Sequence, residues 1–163
     1  MKTFEKPNPD WQLAEVNIAC LKKPAGDPLV APFVDAIDKV NAIADRMDGF
    51  VWRYTDASGN ATDTSVDVDE RIIFNTSIWQ DLPSLERFVW GTVHMSFFRR
   101  RKEWFNVMEK MHFAMWWVPQ GTTITPQDAM ERLAYFNNNG ATERAFDWAH
   151  APDIGRWKNN DSR

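Results

Sequence analysis

Two residues stand at a spacing that suggests chemistry. His94 and Arg101 lie seven positions apart in the stretch HMSFFRRRKEWF, and seven residues return a helical side chain to within about 20° of its starting direction. Read as one helix over 94–108, the segment places His94, Phe98, Arg101, Phe105 and Met108 on a single stripe, bordered by Phe97 and Trp104. Arg99, Lys102, Glu103 and Asn106 fall opposite, with Arg100 near the boundary. Of the three consecutive arginines, Arg101 is therefore expected to face inward. An arginine on an apolar stripe calls for an anion or a hydrogen-bond network. A fixed guanidinium beside His94 would bind a carboxylate, an enolate or another anionic group. The competing reading packs its stem along the stripe, with the head snorkelling out or pairing with a core carboxylate such as Glu15.

The phase of the preceding residues bears on His94. Leu85, Phe88 and Val89 define an apolar side almost opposite to the 94–108 stripe, and a straight helix cannot bury both. The conflict predicts a break within WGTVH (90–94), where Gly91 precedes β-branched Thr92 and Val93. The break leaves His94 near a helix start, where the dipole disfavours imidazolium and a neutral ring can act as a base. His94 and Arg101 are thus the candidate catalytic pair. Asn17, Asn75, Ser77 and Glu15 are candidate polar contacts for a substrate. Trp52, Trp79, Phe98, Trp104 and one of Trp116 and Trp117 are candidate walls, since strand alternation admits only one of that last pair.

The elements that must hold these residues follow from periodicity. WQLAEVNIA (11–19) alternates, with Ala14, Val16 and Ile18 on one face and Leu13, Glu15 and Asn17 on the other. A helix is predicted from Pro32 to Met47, closed by Asp48-Gly49, followed by strands at 50–54 and 71–79 separated by a polar surface loop over 55–70. Asp81 caps the next helix, 112–118 is the fourth strand, and Thr125-Pro126 opens a last helix that NNNG stops. The order βαββαβ is that of a ferredoxin-like α+β fold, with one extra C-terminal helix. Residues 1–10 read as an extension, 11–146 as the domain and 147–163 as a tail. One face of such a sheet is left by its two helices. If the Ala14 face meets them, the semi-polar Leu13-Glu15-Asn17 face is uncovered, and a second copy of the chain is the usual cover.

Composition narrows the class. At 163 residues, 44% of them hydrophobic, the chain suits one domain with a real core. A net charge of −4 and a pI near 5.4 argue against a nucleic-acid partner, and RRRK is too short and isolated to reverse that. The lone Cys20 excludes an internal disulfide and fits a reducing compartment. The start MKTFEKPNPD has no apolar core and no apolar run approaches 18 residues, so a cytoplasmic protein without a membrane partner is expected. His94, His112 and His150 lack ligand spacing, so no metal is expected. No nucleotide-binding glycine loop, nucleophile elbow or CxxC occurs.

The succession LAEVNIA, GFVWR, NTSIW, H…FFRRRKEWF, MWWVPQG, TPQDAMERL and GATERAF resembles a bacterial domain-of-unknown-function family, number 3291. The resemblance covers about residues 11–146 and is most specific at WWVPQG and H…RRRKEWF. It implies membership of the dimeric α/β-barrel superfamily, whose members include antibiotic-biosynthesis monooxygenases. Two sheets then close a barrel in a homodimer, with a pocket between sheet and helices in each protomer. Superfamily chemistries range over cofactor-independent oxygenation, haem binding, dehydration, isomerisation and plain ligand binding, so the fold does not choose among them. The leading expectation is a cofactor-free small-molecule enzyme that abstracts a proton from an aromatic or polyketide-like substrate. The alternatives are a haem protein with His94 as axial ligand beside Phe97 and Phe98, or a non-catalytic ligand-binding dimer.

Overall fold

A computed structural model of the chain describes residues 2–152. Strand β1 (Trp11–Leu21) is followed by helices α1 (Ala31–Val34) and α2 (Ile37–Asp45), then β2 (Phe50–Arg53) and β3 (Ile72–Trp79). Three helices come next, α3 (Leu82–Gly91), α4 (His94–Arg99) and α5 (Arg101–Trp104), and then β4 (Phe105–Asn106), β5 (Phe113–Pro119) and α6 (Pro126–Asn139). The sheet runs β2-β3-β1, with β5 beside most of β1 and the two-residue β4 beside its end. Every pairing is antiparallel. This is the ferredoxin-like α+β arrangement with an added C-terminal helix.

Local chemistry accounts for the ends of the elements. Asp81 Oδ1 accepts from the backbone N–H of Ser84 and opens α3. Thr125 and Asp128 form a reciprocal capping box at α6, and Gly140, at φ 73°, ends it. The single helix expected over 32–47 is divided, with Ala36 capping α2. Gly49 takes φ 85° against the start of α3, where an added Cβ would collide with the Ser84 side chain. The 55–70 loop is knit by its own polar side chains: Asp56, Ser58, Asn60 and Thr62 bond in succession, and Tyr54 reaches Thr64. Asn60 also donates to Asp38 of α2.

The faces of the sheet are the reverse of the arrangement that leaves Leu13, Glu15 and Asn17 uncovered. Leu13, Trp79, Met115 and Trp117 pack with Ala44 of α2 and with Leu82, Leu85 and Phe88 of α3. The Ala14, Val16, Phe74, Ile78 and Trp116 face is covered by Ala129, Leu133 and Phe136 of α6. The extra helix thus does within one chain what a second copy was expected to do, so surface burial alone no longer requires a partner. The alternation was legible; which face met which helix depended on where α6 returned. The extension is part of the packing, since Phe4 is buried and its carbonyl accepts from Trp117 Nε1. Residues 153–163 of the expected tail lie outside the described residues.

Candidate functional site

Glu15 sits in the middle of β1, directly opposite Ser77 of β3 on one side and Met115 of β5 on the other. It is 3% exposed. Ser77 Oγ donates to Oε1 at 2.6 Å, and Asn17 Nδ2 donates to Oε2 at 3.0 Å. Trp79 Nε1 in turn donates to Ser77 Oγ at 2.9 Å. Alternation and register make this chain of bonds: residues 15 and 17 share a face with their cross-strand partners 77 and 75. Burial favours the neutral carboxyl and raises Glu15 to about 7, while the bonds from Ser77 and Asn17 oppose part of that rise.

An aromatic path joins this carboxyl to His94. Trp79 stacks on Phe88, ring centroids 5.3 Å apart, and Phe88 lies 5.2 Å from the His94 ring. The expected break falls within WGTVH: α3 ends at Gly91, and His94 is the first residue of α4. Thr92 Oγ1 accepts from the His94 backbone N–H and stands in as a local cap. The Nδ1 of His94 lies 3.2 Å from the Val89 carbonyl, which accepts the Nδ1 hydrogen and leaves Nε2 with the free lone pair. Burial holds the ring below the ordinary histidine pKa, against the pull of that carbonyl. A neutral histidine results, here from burial.

Arg101 is elsewhere. The helix expected over 94–108 is interrupted at Arg100, whose φ of −95° and ψ of 9° end α4 and begin α5. The phase relation between His94 and Arg101 is lost there, and β4 follows at once. Arg101 is exposed, its Nη1 donates to the Phe98 carbonyl at 2.9 Å, and its guanidinium lies 4.2 Å from the Phe98 ring. Phe98 is itself 37% exposed. The inward arginine is thus corrected: Arg101 covers a surface aromatic. Arg100 caps the face of Trp104 and pairs with Glu103.

The other expected contacts divide among three clusters. Asn17 and Asn75 are half-buried cross-strand partners beside Glu15. Ser77 and Trp79 belong to the hydrogen-bond chain already described. Trp117 is on the same side of the sheet, but its indole N–H is committed to Phe4. Trp116 and Trp52 pack on the opposite side with α6. Trp104 is buried with Leu21 and Val30 in a separate cluster near α1.

Three aromatic residues outside the expected set flank the site. Phe113, opposite Asn17 in the register, stacks on Trp148 with rings 5.6 Å apart and 4° from parallel. Trp148 meets Trp90, which also contacts Phe98 edge-on. The Trp90 indole N–H is buried with no hydrogen-bond partner among the described residues. A buried donor without a partner costs roughly 1–3 kcal/mol, so it marks a place where an acceptor would be welcome. Trp90 precedes Gly91 in the break itself and lies four residues before His94, which is the signal that could have singled it out.

The His94 ring meets the Val89 carbonyl through Nδ1 and the Phe88 ring beside it, and two described grooves of about 320 and 330 Å³ are bordered by neither His94 nor Glu15. Among the described residues, no cluster of His, Cys, Asp and Glu could hold a metal ion, and no helix is long and apolar enough to cross a membrane.

The chain is thus an antiparallel ferredoxin-like α+β protein with Glu15 buried on the sheet face that α2 and α3 cover. The chain belongs to the family described as Domain of unknown function (DUF3291), whose profile matches residues 12–162. No curated protein matches it. Among solved structures it is similar to PA3566 from Pseudomonas aeruginosa, at 12% identity over 71% of this chain and 99% of that one, with a TM-score of 0.45. It is similar also to NE2512 from Nitrosomonas europaea, a protein of unknown function, at 9% identity over 73% and 98%, TM-score 0.46. A third is SnoaB, a cofactor-independent oxygenase from Streptomyces nogalater, at 12% identity over 69% and 96%, TM-score 0.46.

Proposed function

We propose that the chain is a small-molecule enzyme that transfers protons on an aromatic or polyketide-like substrate, with Glu15 as the proton acceptor. The observation that carries this reading is the buried carboxyl held between Ser77 and Asn17, whose burial raises its pKa to about 7. A group with that pKa is part base and part acid at neutral pH, which suits it to accept a proton and return it. Glu15 thereby takes the role first assigned to the His94–Arg101 pair. His94, neutral and with Nε2 free, is the second acid–base group. Asn17, Asn75 and the unpartnered Trp90 N–H supply donors, and Phe113 and Trp148 supply flat walls.

In the proposed step the carboxylate of Glu15 takes the hydrogen of an acidic C–H bond. The bonding pair stays on the substrate and delocalises onto its carbonyl oxygen as an enolate, which the nearby donors stabilise. Return of the proton to another carbon is isomerisation, expulsion of a β-hydroxyl as water is dehydration, and transfer of the electrons to dioxygen begins oxygenation. A panel of aromatic 1,3-diketones and phenolic ketones in D2O tests the shared step. Loss of the C–H proton signal should be accelerated by the protein and abolished in Glu15→Gln, and it should survive in Arg101→Ala. Exchange that proceeds unchanged in Glu15→Gln refutes the assignment.

A binding module that turns nothing over is the second reading, favoured by the burial of Glu15 away from either described groove. Saturable binding of a diketone without C–H exchange would select it. The homodimer belongs to the proposal as well. Because α6 occupies the Ala14–Val16 face, two sheets could close a barrel only with α6 at, or displaced from, the interface. Sedimentation at micromolar concentration should return twice the 19.0 kDa chain mass; a monomeric mass removes the dimer.

A further inference from the structure

Trp116 and Val118 of MWWVPQG, Arg132 of TPQDAMERL and Arg144 of GATERAF meet in one place on the side of the sheet opposite Glu15. There a groove of about 320 Å³ has Trp116, Val118 and Ile124 among its lining, with Arg132, Tyr135 and Arg144. It is contiguous through Tyr135 and Arg144 with the second groove, of about 330 Å³, which Lys2 also borders. We propose that this groove binds a small aromatic carboxylate, whose charge is gripped by Arg132 and Arg144 and whose ring lies toward Trp116.

Two like charges are held here with no ion pair among the described residues. The Arg132 guanidinium lies over the Trp116 ring at 5.6 Å, and that of Arg144 over the Tyr135 ring at 4.8 Å. Arg132 Nη1 donates to the Arg144 carbonyl at 2.9 Å, so the two residues are tied together. Among the described residues neither arginine has a carboxylate within ion-pair distance. A guanidinium has five N–H donors in a planar fork, and stacking on a ring leaves the edge of Arg144, and the Arg132 donors other than those on Nη1, for a planar carboxylate. Burial, and the Arg144 charge next, lower the pKa of Arg132, with a smaller opposing pull from Asp128.

Two carboxylates, Asp128 and Glu131, also line the groove, and each is engaged. Asp128 accepts from Thr125 in the capping box, and Glu131 accepts from Gln127. With Glu143 beside the second groove, they would repel an extended polyanion such as nucleic acid and leave room for a single negative group. The apolar floor of Trp116, Val118 and Ile124 gives the ligand body its place.

Benzoate, benzyl alcohol and inorganic phosphate are the probes, each titrated while the arginine Nε–H and tryptophan indole resonances are followed by NMR. Benzoate should give saturable shifts at Arg132, Arg144 and Trp116, and benzyl alcohol should give none. Arg144→Gln, which removes a side chain with no hydrogen bond to the described residues, should weaken benzoate about tenfold, the weight of one charge-assisted pair. Arg99→Gln should leave the affinity unchanged. Absence of saturation, or an unchanged affinity in Arg144→Gln, overturns the site. Phosphate binding as tightly as benzoate overturns the aromatic ligand. Glu15 lies on the opposite face of the sheet, so failure of any arm leaves the proton-transfer reading standing.

Discussion

Replacing Glu15 by Gln removes the titration while keeping the shape of the side chain. In the folded chain the carboxyl titrates near 7, against an ordinary value of 4.5. At pH 4 both folded and unfolded chains hold the proton. Between about 4.5 and 7 the folded chain still holds it and the unfolded chain has lost it, so folded stability falls as pH rises. Above 7 both are ionised and the dependence ends. At about 1.4 kcal/mol per pKa unit, the loss across that window is roughly 3 kcal/mol. Urea denaturation from pH 4 to 8 should therefore show a decline in the native protein that flattens above neutrality. In Glu15→Gln, Ser77 can still donate to the amide oxygen, and Asn17 must rotate to offer its own oxygen to the new N–H. The decline should vanish, and the variant should be the more stable protein at pH 8 by up to that amount. His94 acts in the opposite sense: its lowered pKa means that protonation favours the unfolded chain, so its contribution falls away as pH drops below the ordinary histidine value. Comparing native and Glu15→Gln proteins cancels that second slope. Parallel curves, or a Glu15 carboxyl carbon that titrates by NMR in the ordinary carboxylate range, would refute the reasoning.

Other substitutions test the surroundings. Arg101→Ala and Arg99→Ala should each change the free energy of unfolding by no more than about 0.5 kcal/mol, as for exposed residues generally, measured by thermal melts. Trp79→Phe keeps a ring against Phe88 but removes the donor to Ser77. It should cost about 1 kcal/mol and, by weakening the hold of Ser77 on the carboxylate, move the Glu15 midpoint upward in the same NMR titration. Gly49→Ala combines φ 85° with a collision against the Ser84 side chain, and a loss of about 2 kcal/mol or more should appear in urea midpoints.

The sequence by itself determined most of the local structure. The alternation in WQLAEVNIA, the strand at 71–79, the caps at Asp81 and Thr125, and the conflict of apolar phases at 90–94 all reappear, because each is settled by neighbours within a turn or a strand. Glu15 in the middle of an apolar alternation was visible too, though as a polar contact for a substrate or a partner for Arg101. Its pKa required Ser77, a residue 62 positions away, to arrive opposite it with Trp79 behind. Arg101 shows the converse. Helical phase put it beside His94, but one non-helical residue at Arg100 was enough to turn the chain, and the pairing of Phe105 and Asn106 with Leu21 and Cys20 claimed the residues that follow. Only the tertiary structure decided which face of the sheet met which helices, since both faces of β1 carry apolar residues and either could have been covered by α2 and α3. The return of α6 settled that choice, placing Trp116 and Trp117 on opposite sides and setting the buried carboxyl beneath α3 and the unpaired arginines beside α6. Local periodicity reports what a segment can bury, and only the packed whole determines against what.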